Sequence, residues 1–151
     1  RFTREKNPVF TTPSSPFRIG KAELLKDGKD VTIIGAGPVL YEAFLAAKQL
    51  EGKIDVSILN LHTVKPIDKD AIIKAAKLTG AIVSLEEHQM NGGLGGAVAE
   101  VLVENHPVPM KRVAVMDRFG ESGEPNQLIE KFGLSSKSIV KAVNDVIKMK
   151  K

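Results

Sequence analysis

The stretch that most constrains this chain runs from Gly80 to Asn105, GAIVSLEEHQMNGGLGGAVAEVLVEN. Ala81 to Leu85 is a short apolar run with Ile and Val, the composition of a buried strand. Glu86 to Gly96 reads as a polar turn holding two carboxylates, one histidine and four glycines in eleven residues. Ala97 to Glu104 reads as a helix, with Val98, Val101 and Leu102 on one side and Glu100 and Glu104 on the other. A strand that passes through a glycine loop into a helix belongs to an open α/β sheet. In such sheets ligands and partners meet the chain at the carboxyl ends of strands.

The rest of the chain repeats that alternation. Arg1 to Pro16 contains three prolines and no periodic pattern, and is expected to be a linker arm. Phe17 to Lys26 reads as a short first strand. Val31 to Gly35 (VTIIG) is a buried strand, Val39 to Leu50 a helix, and Val56 to Leu61 the next strand. Asp68 is placed to cap a helix over Lys69 to Thr79, which Gly80 ends. Lys111 to Met116 is a further strand. Pro125 to Phe132 is a short helix, and Ser135 or Ser136 caps a last helix whose Ile139, Val140, Val143 and Ile147 recur at helical spacing. Alternating strands and helices imply a parallel sheet covered on both faces. The core strands read as continuous apolar runs, as strands buried on both faces must.

The 151 residues suffice for one domain with a real core. There are no cysteines, which excludes disulfides, zinc–thiolate sites and thiol catalysis. No apolar run reaches the roughly 20 residues of a membrane helix. A cytoplasmic location is therefore expected, with no membrane partner. The chain opens on Arg1, and a piece of a longer polypeptide is expected. The net charge of +4 invites a nucleic-acid reading. The lysines are scattered, however, and aromatic residues are 5% with no Trp, so stacking platforms are scarce and no nucleic-acid partner is expected.

Several motifs are candidate sites. Gly35-Ala36-Gly37 sits between a strand and a helix like a dinucleotide fingerprint, but Leu40 stands where the third glycine belongs. Asn91 to Gly96 lacks the Lys-Ser/Thr pair of a phosphate-binding loop, although a helix N-terminus can bind an anion through its free N–H groups. Glu86, Glu87 and His88 offer a carboxylate–imidazole pair for general acid–base work, without an evident nucleophile or metal-ligand spacing. Ser122 lacks the strand–turn–helix setting of a hydrolase nucleophile. No catalytic, cofactor-binding or metal residue is assigned. The candidate site is an interface loop, Glu87, His88, Gly92, Gly93 and Gly95. Its glycines sacrifice packing and suit close backbone approach to a neighbouring chain, the alternative being an intramolecular turn with no partner.

Four segments taken together, VTIIGAGPVLYEAFLAAKQL, LNLHTVKPID, GAIVSLEEHQMNGGLGGAVAEVL and VAVMDRFGESGEPNQLIEKFGL, resemble the C-terminal domain of transketolases, most closely the split type. The resemblance covers nearly everything from Phe17 to Gly133. Similar domains close deoxyxylulose phosphate synthase and the beta subunits of 2-oxoacid dehydrogenases, and these remain alternatives, as does a free-standing nucleotide- or anion-binding module. The resemblance implies a three-layer α/β/α fold with a five-stranded mixed sheet, four strands parallel and the first antiparallel, over residues 17–151, with 1–16 an arm from a preceding domain. It implies an enzyme that moves a two-carbon ketol unit between sugar phosphates with thiamine diphosphate and Mg²⁺. It also implies that pyrimidine-type and diphosphate-binding domains, on this polypeptide or another, bind that cofactor. This chain alone is then expected to bind no cofactor, to be inactive, and to take part in a homodimer.

Overall fold

The computed structural model describes residues 6–150. Five strands form one sheet in the order β1-β3-β2-β4-β5. They are β1 (Glu23–Lys26), β2 (Val31–Gly35), β3 (Val56–Asn60), β4 (Ile82–Gln89) and β5 (Met110–Val115). β1 runs antiparallel to β3, while β2 pairs in parallel with β3 and β4, and β4 with β5. The helices are α1 (Leu40–Gln49), α2 (Lys69–Thr79), α3 (Leu94–Asn105), α4 (Pro125–Lys131) and α5 (Ser136–Met149). This is the three-layer mixed fold expected from the sequence.

Alternation along each central strand divides the core in two. Val31, Ile33, Ile58, Val83 and Leu85 face α1 and α5. Ile34, Leu59 and Ile82 face α2 and α3. Each strand is therefore apolar on both sides, and the buried runs carry no polar face for water. Among polar side chains within the sheet, the buried Thr32 hydroxyl is satisfied by Thr79 of α2 at 3.0 Å.

Three boundaries depart from the sequence reading. β4 does not stop at Leu85 but runs on to Gln89, so Glu86 to Gln89 is strand rather than turn. α3 begins at Leu94, three residues before the expected Ala97, and takes Gly95 and Gly96 into its first turn. Extra strand and extra helix compress the expected eleven-residue loop to Met90–Gly93. The first strand is also shorter than expected, because residues 17–22 lie against the 62–68 turn instead of pairing along the sheet edge: Phe17 stacks on His62 and Gly20 N–H donates to Thr63 Oγ1. Of the expected 1–16 arm, residues 1–5 lie outside the described residues. Residues 6–16 carry neither helix nor strand, and Phe10 packs on Phe44 of α1 with ring centroids 5.6 Å apart.

Asp68 is the cap the sequence predicts, with a second task. Its Oδ1 accepts from Ala71 N at the start of α2, and its Oδ2 accepts from Ala22 N at the entry to β1. Lys21 Nζ lies 3.5 Å away, and only 7% of Asp68 is exposed. Burial acts to raise the Asp68 pKa, but the Ala22 and Ala71 amides and Lys21 outweigh it and hold the carboxyl below its usual value. A depressed folded-state value stabilises the fold above the unfolded value and loses that contribution as pH falls through the folded value. Asp68→Ala is expected to lower stability by about 1–2 kcal/mol at neutral pH. In urea titrations the gap between wild type and variant should hold down to about pH 4 and then shrink. A gap that does not change with acid would remove the charge from the explanation.

Candidate functional site: the carboxyl ends of β2 and β4

The strand order reverses between β2 and β4. From β2 the chain crosses by α1 to β3 on one side, and from β4 it crosses by α3 to β5 on the other. Their diverging ends open a crevice of about 600 Å³, bounded by Ala36 to Pro38, by His62 and Val64, by Glu86 to His88 and by Gly92 to Leu94. This is the position at which open α/β sheets receive ligands. Chemistry here turns on what occupies the N-terminus of α3.

Glu86 occupies it. Its Oε2 accepts from Leu94 N at 2.7 Å and its Oε1 from Gly95 N at 2.9 Å. The carboxylate is 4% exposed, so it meets the positive end of the helix with little water between. Charge-assisted bonds of this kind offset the cost of burying the charge. The helix-terminus anion site that the sequence suggests is thus filled by the chain's own side chain. Gly93 and Gly95 follow from the same contact. A Cβ on Gly93 would overlap Glu86 Oε2, and one on Gly95 would fall 2.6 Å from Ser84 Oγ and 3.1 Å from Glu86 Oε1. Gly93 has φ −97, so packing rather than backbone conformation demands glycine there. The close approach expected from these glycines is intramolecular. The expectation that they need a neighbouring chain is corrected on this point: Gly93 makes room for Glu86, and Gly95 first for Ser84 Oγ and then for Glu86 Oε1.

The other sequence candidates separate. Glu87 and His88 point out of the sheet end and are exposed, and His88 Nδ1–H donates to its neighbour Gln89 O at 2.9 Å. Gly92 is exposed with φ 72 and open space around it. His62 reaches the same crevice, with Nδ1 3.0 Å from Thr63 Oγ1 and its buried Nε2 without a hydrogen-bond partner among the described residues. His106 lies at the far end of α3 and does not converge with them. Beyond β5, the loop 117–124 is tied down on several sides. Gln89 Nε2 donates to Arg118 O at 2.5 Å, the Arg118 guanidinium sits 4.3 Å over the Phe132 ring, and Lys131 pairs with Glu121 at 2.5 Å. The Lys131 hydrogen bond, against a smaller opposing effect of desolvation, holds the Glu121 carboxyl below its usual value. Among the described residues, no group of three or more His, Asp or Glu side chains is placed to hold a metal ion.

A family model described as the transketolase C-terminal domain matches residues 20–139. The chain belongs to the transketolase C-terminal domain family. It is similar to the 6-deoxy-6-sulfo-D-fructose transketolase subunit SqwH of Clostridium sp. (strain MSTE9), at 50% identity over 151 residues, covering 99% of this chain and 47% of that protein. It is 38% identical over 141 residues to an apulose-4-phosphate transketolase subunit of Phocaeicola vulgatus, covering 93% of this chain and 45% of the other. Among solved structures, a split gene transketolase described as an inactive beta4 tetramer superposes with a TM-score of 0.93 at 43% identity, covering 98% of this chain and 49% of that one. The chain spans about half the length of these relatives.

In this transketolase C-terminal domain, the residue that organises the site is Glu86, which the sequence pattern groups with Glu87 and His88 and does not single out. A signal was available: a carboxylate eight residues before a glycine-opened helix, at the inward position of a strand continued by one residue. Its reach to the helix depends on the strand's length, which the apolar pattern alone does not supply. The geometry makes an energetic prediction. Glu86→Ala should cost about 2–4 kcal/mol by leaving two buried amides unpaired. Gly93→Ala should cost about 1–3 kcal/mol through overpacking. In the double variant the second cost should largely vanish, because the overlapping carboxylate is gone. Simple additivity in the four-member unfolding cycle would mean that Gly93 is not there for Glu86.

Proposed function

We propose that this chain provides the last domain of a thiamine diphosphate-dependent transketolase, a transferase that moves a two-carbon ketol unit between sugar phosphates. The observation that carries this reading is the near full-length match to proteins named as transketolase subunits, each about twice as long as this chain. In such an enzyme, pyrimidine-type and diphosphate-binding domains, on the same polypeptide or a separate subunit, bind the cofactor. Residues 17–151 then form the domain and 1–16 the arm that joins it to a preceding one. Phe10 anchors that arm on α1.

Thiamine diphosphate with Mg²⁺ supplies the carbanion chemistry of such enzymes. The residues of this chain do not fit that group. Its diphosphate would need free amides or cations together with carboxylate ligands for the metal. The α3 amides at the sheet end are taken by Glu86, and the described residues hold no metal-ligating cluster. No chemical step is therefore derived through this domain. Its part is structural: it carries a preorganised, exposed loop on a rigid sheet end. Glu87 and His88 project from the end of β4 and Gly92 from the loop after it, and we assign them, with Gly93 and Gly95 beneath, to a subunit interface of a homodimer. A cytoplasmic setting agrees with the absence, among the described residues, of any helix long and apolar enough to cross a membrane.

Two measurements test the reading. Titration calorimetry of the 151-residue chain with thiamine diphosphate and Mg²⁺ is expected to give no saturable heat at micromolar concentration, the range of about 8 kcal/mol of binding. Ketol transfer from xylulose 5-phosphate to ribose 5-phosphate is expected only after the pyrimidine-type and diphosphate-binding domains are supplied. A clear micromolar isotherm, or turnover by this chain alone, would overturn the proposal.

A further inference from the structure

Six asparagines stand in the chain, and only Asn91 precedes a glycine. A backbone N–H that follows an asparagine can attack that residue's own side-chain amide, and glycine has no Cβ to stand in the way. Asn7 precedes a proline, which has no N–H. Asn60 lies in β3, Asn105 in α3, Asn126 in α4 and Asn144 in α5, where regular structure fixes the backbone.

Asn91 and Gly92 are both exposed, in the short loop Met90–Gly93. Among the described residues neither the Asn91 side-chain amide nor the Gly92 N–H has a hydrogen-bond partner. No atom lies within 4 Å of the place a Gly92 Cβ would take. The residues on either side are fixed. Met90 N–H donates to Val115 O at 2.9 Å, and Met90 O accepts from the Arg112 guanidinium at 3.0 Å. Gly93 sits so close to Glu86 that a Cβ there would overlap Oε2. An untethered Asn-Gly pair is thus strung between two anchored residues and open to solvent.

We infer that Asn91-Gly92 is a self-modification site, at which the chain deamidates through a cyclic imide and whose isoaspartyl product loosens the Glu86 contact on α3. The Gly92 amide nitrogen, deprotonated by hydroxide, attacks Asn91 Cγ. A new C–N bond forms, the bond to the side-chain nitrogen breaks, and that nitrogen takes up a proton from water and leaves as ammonia. Water then opens the five-membered ring. Opening at Cγ gives aspartate, and opening at the main-chain carbonyl gives isoaspartate. Either product has gained water, lost ammonia and acquired one negative charge. Isoaspartate also routes the main chain through Cβ and Cγ, which lengthens it by one carbon. Gly93 has no clearance from Glu86, so the extra carbon pushes the Leu94 and Gly95 amides off the carboxylate they hold. No step requires another protein, so neither the transketolase proposal nor the interface enters the chemistry.

Timed incubation of the 151-residue chain at mildly alkaline pH, read by peptide mass spectrometry, tests the site. In the folded chain Asn91 is expected to convert within about tenfold of its rate in the urea-unfolded chain. The rate should rise with pH, because hydroxide generates the attacking nitrogen, while the asparagines in helices and strands stay unchanged. Asn91→Gln should stop the reaction here, since it would need a larger ring. A homodimer that uses this loop would cover Asn91, so the incubation runs as a dilution series. Conversion that rises on dilution supports both proposals, and conversion at one rate throughout supports this one and counts against that interface. A folded chain that protects Asn91 beyond the tenfold margin at every dilution overturns the inference. The second reading is stability. The isoaspartyl form, separated by chromatography, should melt a few degrees below Asn91→Asp, which carries the same charge on a main chain of normal length. Equal Tm values for the two would overturn the link to Glu86.

Discussion

The carboxylate of Glu86 on the first amides of α3 is the contact from which the sheet end takes its form. β4 has to continue past its apolar run to bring residue 86 inward, and α3 has to start at Leu94 to present its amides. The two glycines beneath it leave room for the oxygens. Once the contact forms, the positive end of α3 is neutralised from within. The same α/β geometry that receives a phosphate in nucleotide-binding proteins here holds a side chain instead. The crevice is preserved, but its strongest attractor for an anion is spent.

The device recurs. Asp68 supplies oxygens to the start of α2 and reaches across to Ala22, tying the antiparallel edge strand to a helix 46 residues further along. Glu42, on α1, accepts from Ser136 N at 2.6 Å and so caps α5 across a separation of 94 residues. The serines expected to cap that helix from sequence do not do so with their own side chains. In each case one carboxylate satisfies helix amides left unpaired and also fastens two distant parts of the chain. Helix ends and tertiary connections are thus stabilised by the same groups, and a single loss loosens both.

A sheet end fastened in this way holds its exposed side chains on fixed supports. Glu87 and His88 ride on the extended end of β4 rather than on a loose turn. The loop beyond β5 is clamped by contacts to β4 and to α4 and its C-terminal end. Apolar side chains left exposed on such supports present area to a partner without the cost of ordering flexible loops. Such a surface has a use in a family whose relatives are about twice this chain's length and carry further chain to be joined.

Much of this was legible in the sequence. VTIIG, with no polar face, could only be a strand buried on both sides, and β2 spans those five residues. Asp68, then Ile72 and Ala76 at helical spacing, then Gly80 mark both ends of α2, and the helix falls between them. Local signals of this kind are set by backbone sterics, capping and periodicity within a few residues, and they need no knowledge of the rest of the chain. What the sequence could not decide was where Glu86 points, why Gly93 is glycine, and which side chain caps α5. These depend on groups brought together from separate elements: on a strand's length fixed by pairing with its neighbours, on the direction of a helix fixed by its packing, and on an acid from α1 arriving at the start of α5. Sequence spacing determined the elements and their order. Only tertiary structure decided which charges meet which helix ends, because that choice is made by distance in space rather than along the chain.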